Sequence, residues 1–596
     1  MPSVKQRLEL TWIGKENRPH LEPRILLENP AKSHHAKHRT GKKDIFDNRL
    51  IFGDNLLALK ALEQEFTGKV KCIYIDPPYN ANAATLYEDG LEHSIWLGLI
   101  RDRLEILKRL LTNTGCILVQ IDAYEMAHLK LIMDEVFSRT NLVNIISIKT
   151  KIAGVSGSHL GNSLQDNVEY ILFYANDSSQ FQLNIVPQKQ QELVNYIQEM
   201  EDEGKSWKYT SVMENIDDGK YVKDILAGNG DTIKLFQHKK VVVSSIKSVA
   251  DRFCNGDIKK AYYKYIDKVF RTTNAQTSIR DRVIEATKGI NNEYFSIQYV
   301  PTKGRNAGKL STSYYKGDNL IAWLKDVVAI KGNNIVKLDN MGNLWDDIQY
   351  NNLTKEGSVQ FPNGKKPEAL ISRILDMCTG TGDLVLDSFA GSGTTGAVAH
   401  KMGRRWIMIE LGEHCHTHII PRLRKVIDGE DSGGITEAAG WKGGGGFRYY
   451  RLAPSLLQKD KWENWIINKE YNPEMLAEAV CKLEGFTYVP SDTLYWMHGT
   501  STENDYIYVT TAQLTHDQLA LLSDEVGNNR TLLVMCTAFR SRAGGFPNLT
   551  IKKIPASVLS KCEWGHDDYS LQIENLPIAK KPVKKQPGLF EEEEES

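Results

Sequence analysis

The sequence predicts an α/β protein on a doubly wound, mostly parallel sheet, interrupted by an insertion of different character. Short apolar strands alternate with amphipathic helices over residues 46–177 and again over 355–452, the pattern of strand–helix–strand units. Strands in both stretches run into carboxylates, at Asp54, Asp76, Asp387 and Glu410. In such sheets the carboxyl ends of the strands face the ligand crevice. Between the two stretches, residues 178–354 lose the long apolar runs and gain charge.

A chain of 596 residues exceeds what one hydrophobic core supports, so three or four domains are expected. With 41% hydrophobic and 25% charged residues and a formal net charge of −1, the composition is that of an ordinary globular protein. Neutral charge argues against a non-specific polyanion coat, while local positive charge stays possible. No apolar run approaches the roughly 20 residues of a membrane span, and the first residues carry no apolar signal core. The eight cysteines show no CxxC pair and several fall in apolar runs, which reads as buried free thiols in a reducing cytoplasm.

Taken in order, residues 1–45 form an N-terminal arm whose basic stretch, Lys32 to Arg39, holds three histidines at no standard metal spacing. Leu50-Ile51-Phe52 is a strand, followed by a helix with Leu56, Leu57, Leu59 and Leu62 at apolar spacing. A strand at 70–75 runs into Asp76-Pro77-Pro78-Tyr79-Asn80. The two prolines remove backbone donors and fix φ, so their carbonyls are free to face a cleft. Asp76 and the Pro77 carbonyl could accept from one exocyclic amine, and the Tyr79 ring could stack on the base that bears it. Asp-Pro and Pro-Pro also occur in plain turns, so this stretch alone leaves both readings open. A helix over 93–111, a strand over 115–122, a helix over 124–137 and strands near 143–149 and 168–175 complete the first part.

Within the insertion, Lys and Arg outnumber Asp and Glu by 17 to 8 over residues 231–320. Aromatics are interleaved (Tyr262, Tyr263, Tyr265, Tyr294, Phe295, Tyr314 and Tyr315), as phosphate contact and base stacking require, or as core tyrosines in a solvated insertion.

The α/β pattern resumes at Asp383. A strand ending on Asp387 enters Ser388-Phe389-Ala390-Gly391-Ser392-Gly393-Thr394-Thr395, a tight glycine turn opening a helix. It has neither the P-loop lysine nor the GxGxxG order, and suits a nucleoside-linked ligand better than a pyrophosphate. The next strand ends on Glu410, about 20 residues on, where an acid can bind vicinal ribose hydroxyls. His414 and His418 share i, i+4 spacing, but no Glu lies between them and no metal is expected. After a glycine hinge at 443–446, residues 453–575 read as a small α/β unit, with helices at 473–484 and 515–526 and strands at 505–510 and 531–536. The charge-block tail, 576–596, reads as disordered.

These motifs, in this order, resemble the β class of S-adenosylmethionine-dependent amino-methyltransferases acting on DNA. There the DPPY segment comes first, the recognition region next, and the FxGxGT turn last, as with Asp76–Tyr79 and Phe389-Ala390-Gly391-Ser392-Gly393-Thr394 here. Leu10-Thr11-Trp12-Ile13-Gly14-Lys15, Gly53-Asp54-Asn55-Leu56-Leu57 and Gly446-Phe447-Arg448-Tyr449-Tyr450 are similar to type III restriction-modification methylation (Mod) subunits. Ala81-Asn82 departs from the family's Thr-Gly and bears on loop shape.

The resemblance implies a Rossmann-like methyltransferase fold with a seven-stranded mixed sheet in permuted order, an inserted target-recognition domain over 178–354, and a C-terminal dimer or partner domain. It implies transfer to adenine N6 in duplex DNA, with Asp76, Pro77, Pro78 and Tyr79 as the catalytic segment. For S-adenosyl-L-methionine it implies Asp54 on the adenine amine, Asn55 beside it, Asp387 and Phe389 to Thr395 around the methionine part, Glu410 on the ribose and Lys366 near the methionine carboxylate. N4-cytosine methylation is the nearest alternative, though Asp in the DPPY segment favours adenine in the family. A DNA-reading role for a Res-like helicase–nuclease would coexist with methylation, and the nuclease would be a separate chain because no Walker motif is present. A homodimer in a prokaryotic cytoplasm, associated with the nucleoid, completes the implied picture.

Overall fold

The computed structural model describes residues 9–37, 41, 44–79, 91–150, 166–184, 190–226, 230–274, 278–291, 293–301, 308–332, 334–338, 341–351, 353–357, 359, 361, 365–540 and 545–569. His38 and Arg39, Asn80-Ala81-Asn82, residues 362–364 and the tail at 576–596 lie outside them.

The chain divides into two compact units, residues 1–184 with 343–596, and residues 185–342. The second unit is narrower than the insertion expected at 178–354. Its flanks belong to the first: Asn184 N–H donates to the Met377 carbonyl (2.8 Å), and Leu344–Trp345 pairs parallel with the strand at 142–149.

The first unit is organised by strands Asn48–Phe52 (β1), Val70–Ile75 (β2), Leu111–Ile121 (β3), Leu142–Lys149 (β4), Val168–Ala175 (β5), Leu384–Asp387 (β6), Arg405–Glu410 (β7) and Gly446–Leu452 (β8). Their order across the sheet is β8-β1-β7-β6-β2-β3-β5-β4. Neighbours from β8 to β3 are parallel, and β5 runs antiparallel to both β3 and β4. Strands β1 to β7 are the seven-stranded mixed sheet expected. The late strands β6 and β7 enter between the early strands β1 and β2, so distant segments become neighbours at the sheet's carboxyl edge. The full sheet has eleven strands, because β8, Leu26–Glu28, His34–His35 and Leu344–Trp345 extend it. Part of the expected N-terminal arm is therefore sheet: Leu26–Glu28 and His34–His35 pair antiparallel with β8 and cover an edge otherwise open to another chain.

Helices Asn55–Phe66 (α1), Leu91–Leu110 (α2), Met126–Met133 (α3), Glu368–Cys378 (α4), Thr394–Lys401 (α5) and Ile420–Asp428 (α6) connect the strands. Asp54 caps α1 by accepting from Leu57 N–H (3.0 Å), a contact worth about 1 kcal/mol. Leu56, Leu59 and Leu62 of α1 and Trp96, Leu104 and Leu107 of α2 bury one shared core with Ile73, Ile117 and Leu386. The helix expected over 124–137 is α-helical only to Met133; a π turn at Asp134–Ser138 follows and Ser138 sits at φ 74°. All eight cysteines are buried and unpaired. Among the described residues no helix is long and apolar enough to cross a membrane.

Residues 453–569 carry a five-stranded sheet, with helices Pro473–Glu484 and His516–Val526, and their own apolar clusters around Val480 and Val534. Ile25 joins the first of these clusters, so this region packs within the first unit.

The second unit is an eight-stranded antiparallel sheet with helices at Ile246–Phe253, Ile258–Lys264 and Ser278–Thr287. Tyr262, Phe295 and Tyr315 are core residues here, whereas Tyr263 is 42% exposed. Of these four aromatics, only Tyr263 is left accessible for stacking: Phe295 and Tyr315 lie on the packed face of their strands, and Tyr262 on the buried side of its helix.

Candidate active site

Strand β2 delivers Asp76. It pairs on one side with β6, Ile73 opposite Leu386, and on the other with β3, Ile75 opposite Val119. Past Ile75 the chain leaves the sheet as Asp76-Pro77-Pro78-Tyr79, and Trp96 Nε1 of α2 donates to the Pro78 carbonyl (2.7 Å). That contact anchors the turn.

Tyr79 folds back over Asp76. Its hydroxyl lies 2.6 Å from Asp76 Oδ1 and 2.9 Å from Glu169 Oε2, at the start of β5. Lys366 Nζ donates to the Tyr79 hydroxyl (2.7 Å) and to Glu169 Oε2 (3.0 Å), and stands 3.3 Å from Asp76 Oδ2. It also lies 5.0 Å from the centre of the Tyr79 ring. Gln120 Nε2 donates to Glu169 Oε2 (2.5 Å), and the Tyr74 hydroxyl donates to Gln120 Oε1 (2.6 Å). Lys366 is therefore on the Asp76 and Glu169 carboxylates. The resemblance implied a place near the cofactor's methionine carboxylate; the ammonium rests on Asp76 and Glu169, and the Lys366 carbonyl meets the glycine turn, accepting from Thr394 Oγ1 (3.2 Å). Two carboxylates whose side chains are each 19% exposed require a cation, and Lys366 supplies it.

The electrostatics follow from that placement. Burial raises the Asp76 carboxyl above its ordinary range, opposed by the Lys366 charge and the Tyr79 hydrogen bond. Burial pushes Glu169 up as well, but the Lys366 charge and bonds from Gln120, Lys366 and Tyr79 outweigh it and hold Glu169 low. Lys366 is raised, since Asp76 and Glu169 outweigh the cost of its burial. The nearby Tyr350 hydroxyl is buried without a hydrogen-bond partner among the described residues.

Strand β6 delivers the glycine turn beside β2. Asp387 is buried and accepts from Thr395 Oγ1 (2.6 Å) and Phe389 N–H (3.0 Å), which ties the strand end to the start of α5. Ala390 N–H donates to the Ile409 carbonyl (3.1 Å). Gly391 and Gly393 adopt φ 54° and 75°, and a Cβ on Gly393 would lie 2.9 Å from Ile419 Cγ2. Glu410, at the end of β7, accepts from Gly391 N–H (2.8 Å) and Gly412 N–H (2.9 Å) and pairs with His414 (3.0 Å). Asn55 bridges the two halves, donating to the Ser388 carbonyl (2.7 Å) and accepting from Arg103 Nε. Asp54 is sealed by protein groups: Leu57 N–H, Arg103 (3.3 Å) and Tyr569 N–H (3.0 Å).

This turn fits a nucleoside-linked ligand. The Ser388 hydroxyl is buried and unpartnered among the described residues. Apart from its chain neighbours, no atom of the described residues comes nearer than 3.9 Å to where a Gly391 Cβ would stand, and the Glu410 carboxylate lies alongside. Behind it sits a buried ionic cluster: Glu368 accepts from Lys401 (2.8 Å) and Arg422 (2.8 Å), and Lys401 pairs with Asp431 (2.6 Å). Arg422 also donates to Thr394 Oγ1 (2.8 Å) and so braces Thr394 of the turn.

The histidines take separate partners: His414 meets Glu410, His416 meets Glu413 and the Tyr449 hydroxyl, and His418 meets Thr417. A second cluster, His93 and His128 on the buried Glu125 (2.6 and 2.8 Å), is accounted for by hydrogen bonds. Glu169, Gln120, Arg103, Glu368, Lys401 and Arg422 were not singled out from sequence. Glu169 carried one visible signal, a lone acid within the apolar run Val168–Ala175.

Residues 70–420 match the family model described as DNA methylase. The chain is 48% identical over 497 residues to the "Probable type III restriction-modification enzyme HindVI Mod subunit" of Haemophilus influenzae, covering 80% of this chain and 65% of that protein. It is 28% identical over 456 residues to the EcoPI Mod subunit of Escherichia phage P1, covering 66% and 61%. It thus spans a little under two thirds of the length of both relatives. Among solved structures, the PvuII cytosine-N4-specific DNA methyltransferase aligns with 65% of this chain and 90% of its own, at 13% identity and a TM-score of 0.32, too weak a match to carry an argument. The family match spans more than half of the chain and takes in both the Asp76 turn and the glycine turn, and on it the chain belongs to the DNA methylase family.

Proposed function

We propose that this chain is the methylating and site-reading subunit of a type III-like restriction-modification system, transferring a methyl group from S-adenosyl-L-methionine to adenine N6 in duplex DNA. One observation supports it above the rest. Strands β2 and β6 are adjacent and parallel, so the Asp76 acceptor and the glycine turn leave the same edge of the sheet side by side. An amine held at one meets a ligand held at the other.

S-adenosyl-L-methionine, when bound, supplies a methyl group already activated on a sulfonium. The protein's task is orientation and exclusion of water. Asp76 and the Pro77 carbonyl accept the two amine protons and turn the nitrogen lone pair toward the methyl group. Tyr79 offers a ring to a base drawn out of the stack, which returns part of an unstacking cost of a few kcal/mol. Glu410 holds the ribose, and the turn from Phe389 to Thr395 wraps the methionine part. The unit at 185–342, with its excess of basic residues, is the candidate reader of the DNA sequence. A Res-like helicase–nuclease partner, a homodimer, contacts through 453–569, and a site of action on the nucleoid belong to the same reading.

The test is base-modification sequencing of plasmid DNA from cells expressing the wild type or Asp76→Ala. N6-methyladenine at one short motif, absent with the variant, supports the reading. Modified cytosine at that motif would keep the site and change the substrate, and no modified base from a folded chain would overturn the reading.

A further inference from the structure

The carboxylate proposed to accept the target amine is embedded in a cluster of alternating charge. We propose that Lys366 and Glu169 are positioning residues of the methyl-transfer site: Lys366 is the fixed cation that holds the Asp76 carboxylate ionised and aimed as an acceptor, and Glu169 is the anion that holds Lys366 in place. The inference rests on the reading of Asp76 as that acceptor.

Geometry carries it. Lys366 Nζ reaches three groups at once: the Tyr79 hydroxyl at 2.7 Å, Glu169 Oε2 at 3.0 Å and Asp76 Oδ2 at 3.3 Å. An ammonium has three donors, and these three contacts account for all of them. Glu169 is itself fixed by Gln120, which Tyr74 fixes in turn, so the cation is clamped from outside the turn it serves. Tyr79 has one proton to give and lies within hydrogen-bonding distance of both carboxylates. Without Lys366, two acids and one hydroxyl would share a poorly solvated space, and one acid would take up a proton. A protonated Asp76 presents one acceptor fewer to the amine. Lys366 thus works for the acceptor, and the repulsion from Glu169 works against it; Glu169 is there because it places Lys366.

The titratable groups facing Asp76 are Lys366 ahead of α4, Tyr79 in its own turn, Glu169 on β5, Tyr74 on β2, Asp387 at the end of β6 and Tyr350. Of these, the attraction of Lys366 lowers the carboxyl of Asp76, and the repulsion of Glu169 raises it. Replacing the two should therefore move the ionisation of Asp76 in opposite directions, which a merely structural role would not do.

The experiment follows Asp76 directly. Difference infrared spectra of the full chain against its Asp76→Asn variant isolate the protonated-carboxyl band of Asp76 through a pH titration, with no substrate present. Lys366→Met is expected to raise the midpoint by a pH unit or more, and Glu169→Gln, whose amide oxygen can still accept from Lys366 but carries no charge, to lower it. Lys366→Arg, which keeps the charge, should return it toward wild type. Single-turnover methylation gives the second readout. The acid limb should follow the same order, with Lys366→Met at least about tenfold slower at a pH on the wild-type limb. Midpoints that stay together, or move in the same direction, overturn the inference. Midpoints that move as stated while wild type methylates no DNA would instead overturn the functional reading and leave the electrostatic role standing.

Discussion

Asp387→Asn is a perturbation whose size can be worked from the fold. Burial at the end of β6, with repulsion from Asp76 and Glu410, pushes the Asp387 carboxyl up to about 7 from 3.8, against bonds from Thr395 and Phe389 that pull it down. The unfolded chain releases this proton near its ordinary pKa and the folded chain only near 7. Between those values the folded state binds more protons, so rising pH favours unfolding. This contribution is nil below the ordinary value, grows through the interval and is complete above about 7. Holding the proton over that interval corresponds to on the order of 4 kcal/mol. Asparagine keeps an acceptor for Phe389 N–H and a group for Thr395, and does not titrate. In urea unfolding followed by tryptophan fluorescence, the variant should gain on wild type from pH 4.5 to pH 8 by a few kcal/mol. Two stability curves that stay parallel over that range would refute the argument, and would mean that the Thr395 and Phe389 bonds already suit an ionised Asp387.

Lys401→Met removes the ammonium shared by the buried Glu368 and Asp431, leaving Glu368 its Arg422 partner and Asp431 without its ion pair, and should cost about 3–5 kcal/mol in thermal unfolding, with part regained on adding Asp431→Leu. Gly393→Ala should lower the melting temperature more than Gly391→Ala. Both impose the left-handed strain of about 1–2 kcal/mol, but only the first also drives a Cβ to within 2.9 Å of Ile419. A chain ending at Asp568 removes the Tyr569 N–H from Asp54. If Asp54 serves the cofactor's adenine amine, calorimetry should show tighter binding of S-adenosyl-L-methionine, and an unchanged affinity would take Asp54 out of that role.

What was legible in the sequence was local or periodic. The run into Asp76-Pro77-Pro78-Tyr79 and the turn at Gly391 announce themselves because proline and glycine limit or free the backbone within a few residues. Apolar periodicity located β1 to β7 for the same reason. What escaped depends on pairing across hundreds of residues. Lys366 meets Glu169 and Tyr79 only because β6 enters beside β2, and nothing in Lys365-Lys366-Pro367 says which lysine turns inward to the carboxylates. Lys365 instead donates to the carbonyls of Leu353 and Glu356 (2.7 and 2.6 Å). Arg103, on an amphipathic helix, reads as a surface residue until Asp54 and Asn55 are seen beneath it. For the aromatics of the insertion the sequence left stacking and core burial both open, because composition does not report facing; the antiparallel sheet turned Phe295 and Tyr315 into core.

The most direct measurement supplies the purified chain with S-adenosyl-L-methionine carrying a labelled methyl group and a duplex containing its modification motif, then digests the DNA to nucleosides. The account expects label in N6-methyldeoxyadenosine alone and none with Asp76→Asn, although that variant still binds the cofactor. Label in N4-methyldeoxycytidine, or equal labelling by wild type and Asp76→Asn, would contradict it.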